Sequence, residues 1–280
     1  MGIKLIALDV DGTLVHSDGT LSENNLFAVE EAAAEGVNVV INSGRTFYEL
    51  PEESINSDAF SYYIYSNGAA IADEDGKLIY SAFIDEGIAK GVLDTLQKCN
   101  TMIEIYSHGH PHTESKYLCN EAYDYFDIED CYRGVVETTR VGIQNTSEFF
   151  YKNANSVEMF NVFFKNQDER NKCFEIFSRI PGLKVTTSMS TNMEIFSDKA
   201  DKGTALKYLA EYLNIDREEV MAMGDSRNDL PMVKYAGVGV ALDNACDALK
   251  KVADVVTLSN DEDGVAVMIE SSVLTTKVTV

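Results

Sequence analysis

Two carboxylates stand at the end of an apolar run. Ile3, Leu5, Ile6, Ala7 and Leu8 lead into Asp9, and Asp11 follows two positions later, before Gly12-Thr13. A short apolar run between polar flanks suits a strand buried on both faces. Acids placed where such a strand ends repel each other, and each resists ionisation if desolvated. A bound divalent cation resolves both costs, and oxygen ligands select a hard one. The i, i+2 spacing sends both side chains to one side while the chain stays extended, and Gly12 permits the tight turn. Alone, Asp11-Gly12 is equally a common turn pair. Asp9 at the end of a buried strand is what points to chemistry.

Four further stretches share the design of a buried strand ending in small or polar residues. Ser43-Gly44-Arg45 follows the run at 37–41, and Ser66-Asn67-Gly68-Ala69 follows 62–65. The Ser43 hydroxyl can bond a phosphoryl oxygen. Gly224-Asp225-Ser226-Arg227-Asn228-Asp229 adds two carboxylates and an amide after 220–223, and Asp243-Asn244 after 238–242 is a weaker echo. Carboxylates on neighbouring strand ends can build an oxygen site for Mg²⁺. Lys202-Gly203 opens a helical stretch, where the macrodipole prefers an anion. Taken singly, these read as surface turns or an exposed lysine.

The elements that must position these residues alternate. Strand 3–8 is followed by a helix that starts after Ser22, a candidate N-cap, and stops at Gly36. Strands at 37–41 and 62–65 follow, then a hairpin turning at Asp75-Gly76. From about residue 192, strands at 193–196, 220–223, 238–242 and 254–257 alternate with helices at 202–213, 228–235 and 245–252. Such alternation predicts an α/β fold with a parallel sheet and ligand loops at its carboxyl edge. The middle of the chain, 84–190, is richer in aromatic residues. It reads as a smaller α+β domain, with a strand at 157–165, a helix at 168–180 and a strand at 183–187. Residues 1–83 and 191–280 would then form the core around it.

Composition bounds the function. The net charge of −23 over 280 residues argues against nucleic acid or an anionic membrane as partner. A phosphate substrate would need a site made locally positive by a metal and a few cations. No apolar stretch is long enough to span a membrane, and no secretory signal is visible. Five widely spaced cysteines without a C-x-x-C pair suit a reducing cytoplasm.

Together the motifs resemble those of the haloacid dehalogenase (HAD) superfamily phosphatases, specifically the Cof-type branch with a C2B cap. Asp9-Val10-Asp11-Gly12-Thr13, Ser43-Gly44-Arg45, Lys202-Gly203 and Gly224-Asp225-Ser226-Arg227-Asn228-Asp229 match its four motifs in order, and Ser66-Asn67-Gly68-Ala69 its S/T-N-G-A loop. Ser43 stands where Thr is frequent, and Asp243-Asn244 where Gly-Asn is usual. The resemblance covers essentially the whole chain. It implies a Rossmann-like core, with the C2B cap inserted between the second and third motifs and setting specificity.

It also implies roles. Asp9 would be the nucleophile, forming an aspartyl-phosphate. Asp11 would protonate the leaving oxygen and then activate water. Mg²⁺ would take the Asp9 carboxylate, the Asp11 carbonyl and Asp225, with Asp229 completing the metal end. Ser43 and Lys202 would hold the phosphoryl oxygens. Gly44, Arg45, Asn67, Gly68 and Asn228 would line the substrate side. The implied partner is a small phosphomonoester, namely a sugar phosphate, nucleotide or phosphorylated cofactor, taken by a monomer or homodimer. The competing readings are a phosphosugar mutase, for which the cap lacks a basic cluster, and a phosphometabolite-binding protein, which would not need Asp9. His108-Gly109-His110-Pro111-His112 reads as an exposed loop of the inserted domain, and His16 as a packing or solvent contact.

Overall fold

The computed structural model describes residues 2–187 and 189–274. They divide into two compact units, one from residues 2–45, 50–81 and 201–274, the other from Thr46–Glu49 and residues 82–187 and 189–200.

The first unit is built around a mostly parallel sheet. Its early strands are β1 (Leu5–Leu8), β2 (Asn38–Asn42), β3 (Phe60–Tyr65), β4 (Ala70–Asp73) and β5 (Leu78–Ser81). Helix α1 (Glu23–Ala34) joins β1 to β2, and the short α2 (Glu52–Asn56) precedes β3. Ser22 caps α1 by accepting from the Asn25 N–H at 3.0 Å, and Gly36 ends the turn beyond it at φ +84°. The hairpin at Asp75-Gly76 joins β4 to β5 as the sequence predicts.

The second unit carries α3 (Glu86–Leu96), β6 (Thr101–Ser107), β7 (His110–Glu114), α4 (Asn120–Tyr125), α5 (Asp130–Thr139), β8 (Val141–Ile143), α6 (Thr146–Asn153), β9 (Val157–Phe164), α7 (Gln167–Phe177), β10 (Leu183–Thr186) and β11 (Asn192–Ser197). Its sheet runs β10-β11-β9-β6-β7-β8, antiparallel except between β7 and β8. Phe160, Phe164, Phe177, Ile105 and Ile195 sit in its core.

The chain returns to the first unit with α8 (Lys202–Tyr212), β12 (Val220–Gly224), α9 (Leu230–Tyr235), β13 (Val238–Ala241), α10 (Asp247–Lys250), β14 (Val255–Val256) and α11 (Gly264–Ile269). The order β14-β13-β12-β1-β2-β3-β4-β5 puts β1 near the middle. Every residue of β1 is fully buried, which is why it reads as an unbroken apolar run. Among the described residues no helix is long and apolar enough to cross a membrane.

Two expectations are corrected. The strand at 193–196, read as part of the parallel core, is β11 of the second sheet, pairing antiparallel with β9 and β10. Its alternation is that of a sheet with one apolar face, since Met193 and Ile195 enter the second core while Glu194 lies opposite. The histidine run is not a loop. His108 and Gly109 adopt φ +55° and +74° and form the turn of a hairpin, and the chain then extends as β7. Pro111 and Thr113 are buried. His110 stacks on Tyr48 with centroids 3.7 Å apart, and His112 on Phe149 at 4.2 Å.

The segment Thr46–Glu49 belongs with the second unit because a buried arginine holds it. The Arg140 Nε and Nη2 donate to Glu104 at 2.8 and 2.9 Å, while Nη1 donates to Glu49. The guanidinium also donates to the Tyr106 and Tyr132 hydroxyls.

Candidate active site

The carboxyl end of β1 is where the chemistry gathers. Leu8 pairs in register with Met223 of β12 and with Ile41 of β2, both parallel to it. Asp9, Ser43 and Asp225 therefore leave the sheet at the same edge, as the sequence predicts. Asp9 N–H still bonds Met223 O at 3.1 Å. Beyond it the chain closes one wide turn, with Leu14 N–H on Asp9 O at 3.2 Å and Val15 N–H on Val10 O at 3.1 Å. Gly12 is required here twice over. Its φ is +70°, and a Cβ would lie 2.5 Å from Asp225 Oδ2.

Lys202 explains its own odd placement at a helix start. Asp201 caps α8, accepting from the Gly203 and Thr204 N–H groups at 2.9 and 2.8 Å. The Lys202 ammonium turns inward to Asp9 Oδ1 and Asp229 Oδ1, each at 2.6 Å. Its side chain is 1% exposed and that of Asp229 is fully buried, so this is a desolvated ion cluster. Gly203 lets α8 approach α9, since a Cβ there would meet the Pro231 carbonyl carbon at 2.5 Å. The other Asp229 oxygen accepts from the Asp225 and Ser226 N–H groups at 3.0 and 2.9 Å. Asp229 thus both pairs Lys202 and shapes the turn that presents Asp225.

Asp9, Asp225 and Asp229 offer ligand oxygens within 4.8 Å of one another. One ammonium cannot neutralise three carboxylates. Burial, then the charge of Asp229, raises the Asp9 carboxyl well above its ordinary range, with Lys202 opposing. The same causes push Asp225 up to about 6. Burial alone would lower Lys202, but Asp229 and Asp9 outweigh it and hold it above its usual value. Asp225 Oδ1 is buried with no hydrogen-bond partner among the described residues. An orphaned carboxylate oxygen among all-oxygen donors, with an uncompensated negative charge, fits a hard divalent cation.

The other residues singled out from the sequence divide. The Asp11 carboxylate stands outside the three-acid cluster and is mostly exposed. Arg45 grips it with two hydrogen bonds, Nε to Oδ2 at 2.9 Å and Nη2 to Oδ1 at 2.6 Å. Ser43 is fully buried, and its Oγ accepts from the Arg45 N–H at 3.1 Å. Asn67, at φ +55°, accepts from Asn228 Nδ2 at 3.1 Å, which joins the third and fourth loops. Gly44 packs against Asn67, with a Cβ position 3.1 Å from its Oδ1. Gly68 packs against the entry to α8, since a Cβ would lie 2.4 Å from Asp201 O. Gly68 therefore serves close backbone packing, and Gly44 makes room for the Asn67 side chain. His16 bonds Asp263 Oδ1 through Nε2 at 2.9 Å. Asn244 and Asn260 were not singled out as site residues, yet both reach the first loop. The available signal was the position of Asn244 just past another buried strand.

The family model described as haloacid dehalogenase-like hydrolase matches residues 6–269. The phosphatase YwpJ of Bacillus subtilis is 32% identical, over 96% of this chain and 99% of its own. The 5-amino-6-(5-phospho-D-ribitylamino)uracil phosphatase YcsE of the same organism is 32% identical, over 97% of this chain and 96% of its own. A solved haloacid dehalogenase-like hydrolase from Bacteroides thetaiotaomicron superposes with a TM-score of 0.82 at 27% identity, covering 96% of this chain and 99% of that one. The chain belongs to the haloacid dehalogenase-like hydrolases.

Proposed function

We propose that this chain, a phosphatase of the haloacid dehalogenase-like family, hydrolyses small phosphomonoesters with Mg²⁺ through an aspartyl-phosphate, an acyl phosphate on Asp9. The observation that carries the reading is the Asp9–Lys202–Asp229 cluster, buried at the carboxyl end of the central strand and beside an orphaned Asp225 oxygen. Structural ion pairs occur elsewhere, but among the described residues none of them stands at a strand end among three converging acids.

Asp9, Asp225 and the Asp11 carbonyl would hold the cation, with Asp229 behind them. When bound, Mg²⁺ would neutralise the cluster and the incoming phosphoryl charge. Asp9 attacks phosphorus, so that its Oδ–P bond forms as the bond to the leaving oxygen breaks. Lys202 aims Asp9 and, together with the cation when bound, would keep it ionised, and with the Ser43 hydroxyl it bonds the phosphoryl oxygens. Asp11 gives its proton to the leaving oxygen. It then takes one from the water that attacks phosphorus and frees Asp9. For this Asp11 turns away from Arg45, which leaves that guanidinium for the substrate anion. Arg45, Gly44, Asn67, Gly68 and Asn228 form the substrate side of the first unit.

We assign substrate selection to the inserted unit, read as a C2B cap of the Cof-type branch. The substrate class is a sugar phosphate, nucleotide or phosphorylated cofactor, in a cytoplasmic setting. Three Bacillus subtilis relatives are named as 5-amino-6-(5-phospho-D-ribitylamino)uracil phosphatases, so that compound belongs in the panel. The test is phosphate release from p-nitrophenyl phosphate and the panel, with and without Mg²⁺, for wild type and Asp9→Asn. Mg²⁺-dependent turnover that Asp9→Asn abolishes supports the reading. Equal turnover in both proteins would overturn it.

A further inference from the structure

The turn after β13 touches both carboxylate loops. The Cys246 N–H donates to Asp225 O at 2.8 Å, and Asn244 Nδ2 donates to Gly12 O at 2.8 Å. Asn244 Oδ1 accepts from the Asn260 N–H at 3.0 Å. Asn260 is buried, and its own Nδ2 donates to Val15 O at 3.0 Å. Two side-chain amides thus hold the first loop at Gly12 and at Val15. They are joined by a hydrogen bond, and the turn that carries Asn244 also anchors Asp225.

Such an anchor has a physical need to meet. Gly12 supplies the positive φ that the turn requires and tolerates contact with Asp225. The same lack of a side chain gives it more backbone freedom than any other residue. Nothing in glycine itself fixes the peptide between Gly12 and Thr13. The Asn244 amide does so from outside, by holding the Gly12 carbonyl.

We propose that Asn244 is a positioning residue. It fixes the Asp11-Gly12 turn against Asp225, so that the Asp11 carboxyl is delivered to the leaving oxygen. The inference rests on the phosphatase reading for the role of Asp11, but not for the anchoring itself. It predicts a selective defect. Alkyl phosphates need a proton on their leaving oxygen, whereas p-nitrophenolate leaves without one. Misplacing Asp11 therefore harms transfer to Asp9, which kcat/KM reports, for the first class and largely spares it for the second, while the water-activation step suffers alike for both.

The experiment compares wild type, Asn244→Ala and Asp243→Ala. Asp243 lies on the same turn, and its side chain meets Lys250 rather than the loop. Amide exchange is read over residues 9–16 in the absence of substrate. Turnover is read with p-nitrophenyl phosphate and with glycerol phosphate. Asn244→Ala should speed exchange at Leu14 and Val15 by about tenfold, the scale of one lost hydrogen bond. It should lower kcat/KM for glycerol phosphate by about tenfold or more, against less than about threefold for p-nitrophenyl phosphate. Asp243→Ala should match wild type in both. Unchanged exchange in Asn244→Ala would overturn the proposal, as would equal losses of kcat/KM on the two substrates. If wild type turns over neither compound, the phosphatase reading fails separately, and exchange alone decides whether Asn244 anchors the turn.

Discussion

Replacing Lys202 by methionine removes the ammonium and keeps the apolar stem. In the native protein that ammonium lies 2.6 Å from both Asp9 and Asp229, with all three side chains at most 6% exposed. Removing one partner from a buried ion pair costs about 3–5 kcal/mol, because the remaining charge is left unpaired. Asp229 keeps its two backbone N–H donors, so Asp9 is the group that must take a proton. Its carboxyl already sits well above the ordinary 3.8, and the loss of Lys202 raises it further. The sign follows. A carboxyl raised in the folded state carries no penalty below its unfolded pKa, and the penalty grows as pH rises toward the folded value. The stability gap between wild type and Lys202→Met should therefore be small near about pH 5 and approach ~4 kcal/mol near about pH 8. At the higher pH that corresponds to a midpoint lowered by about 10 °C for a unit of this size. The assay is urea unfolding in EDTA at both pH values. A gap independent of pH, or none at pH 8, would refute the ion-cluster argument.

Gly12→Ala should cost about 1–2 kcal/mol of stability from the positive φ alone and abolish most phosphatase activity, since the added Cβ meets Asp225 Oδ2 at 2.5 Å. Thermal unfolding with parallel kinetics checks both. Arg140→Ala leaves Glu49 and Glu104 buried without their cation, and should destabilise the second unit by about 3–5 kcal/mol in denaturant unfolding. His110 and His112 are held below the ordinary imidazole pKa, chiefly by burial. Their contribution is complete above the unfolded value of 6.5 and is lost as pH falls from there toward the folded value. The second unit should therefore lose stability between about pH 7 and pH 5, opposite to the slope that raised Asp9 and Asp225 give the first, and the urea midpoint of His110→Asn with His112→Asn should fall less than that of wild type over this window.

What was legible in the sequence is what chemistry forces on residue type. Buried parallel strands read as apolar runs, and the polar residues that end them mark the ligand edge. Asp9, Ser43, Lys202, Asp225 and Asp229 follow from that pattern taken together with the resemblance. The match of the family model over residues 6–269 agrees with it. What was not legible depends on partners far apart in the chain. The strand at 193–196 carries no local mark of which sheet it joins, since its pairing with β9 spans a helix and a strand. The histidine run hides a strand because its Gly and Pro read as breakers, although Gly109 only closes the hairpin and Pro111 is buried within β7. Arg140 meets Glu104 across 36 positions and Glu49 across 91, distances at which sequence spacing is silent. The Arg45 grip on Asp11 and the Asn244 bond to Gly12 are likewise contacts between loops, set by the register of parallel strands.

The central claim is that Asp9 carries the phosphoryl group. Wild type and Asp9→Asn would be quenched in acid during turnover of a phosphomonoester with Mg²⁺, reduced with borohydride and digested. Reduction converts an acyl phosphate on aspartate to homoserine, which peptide mass spectrometry locates. Homoserine at position 9 in wild type, and none in Asp9→Asn, is the predicted result. Homoserine at another aspartate, or a wild type that turns over without any, would contradict the account.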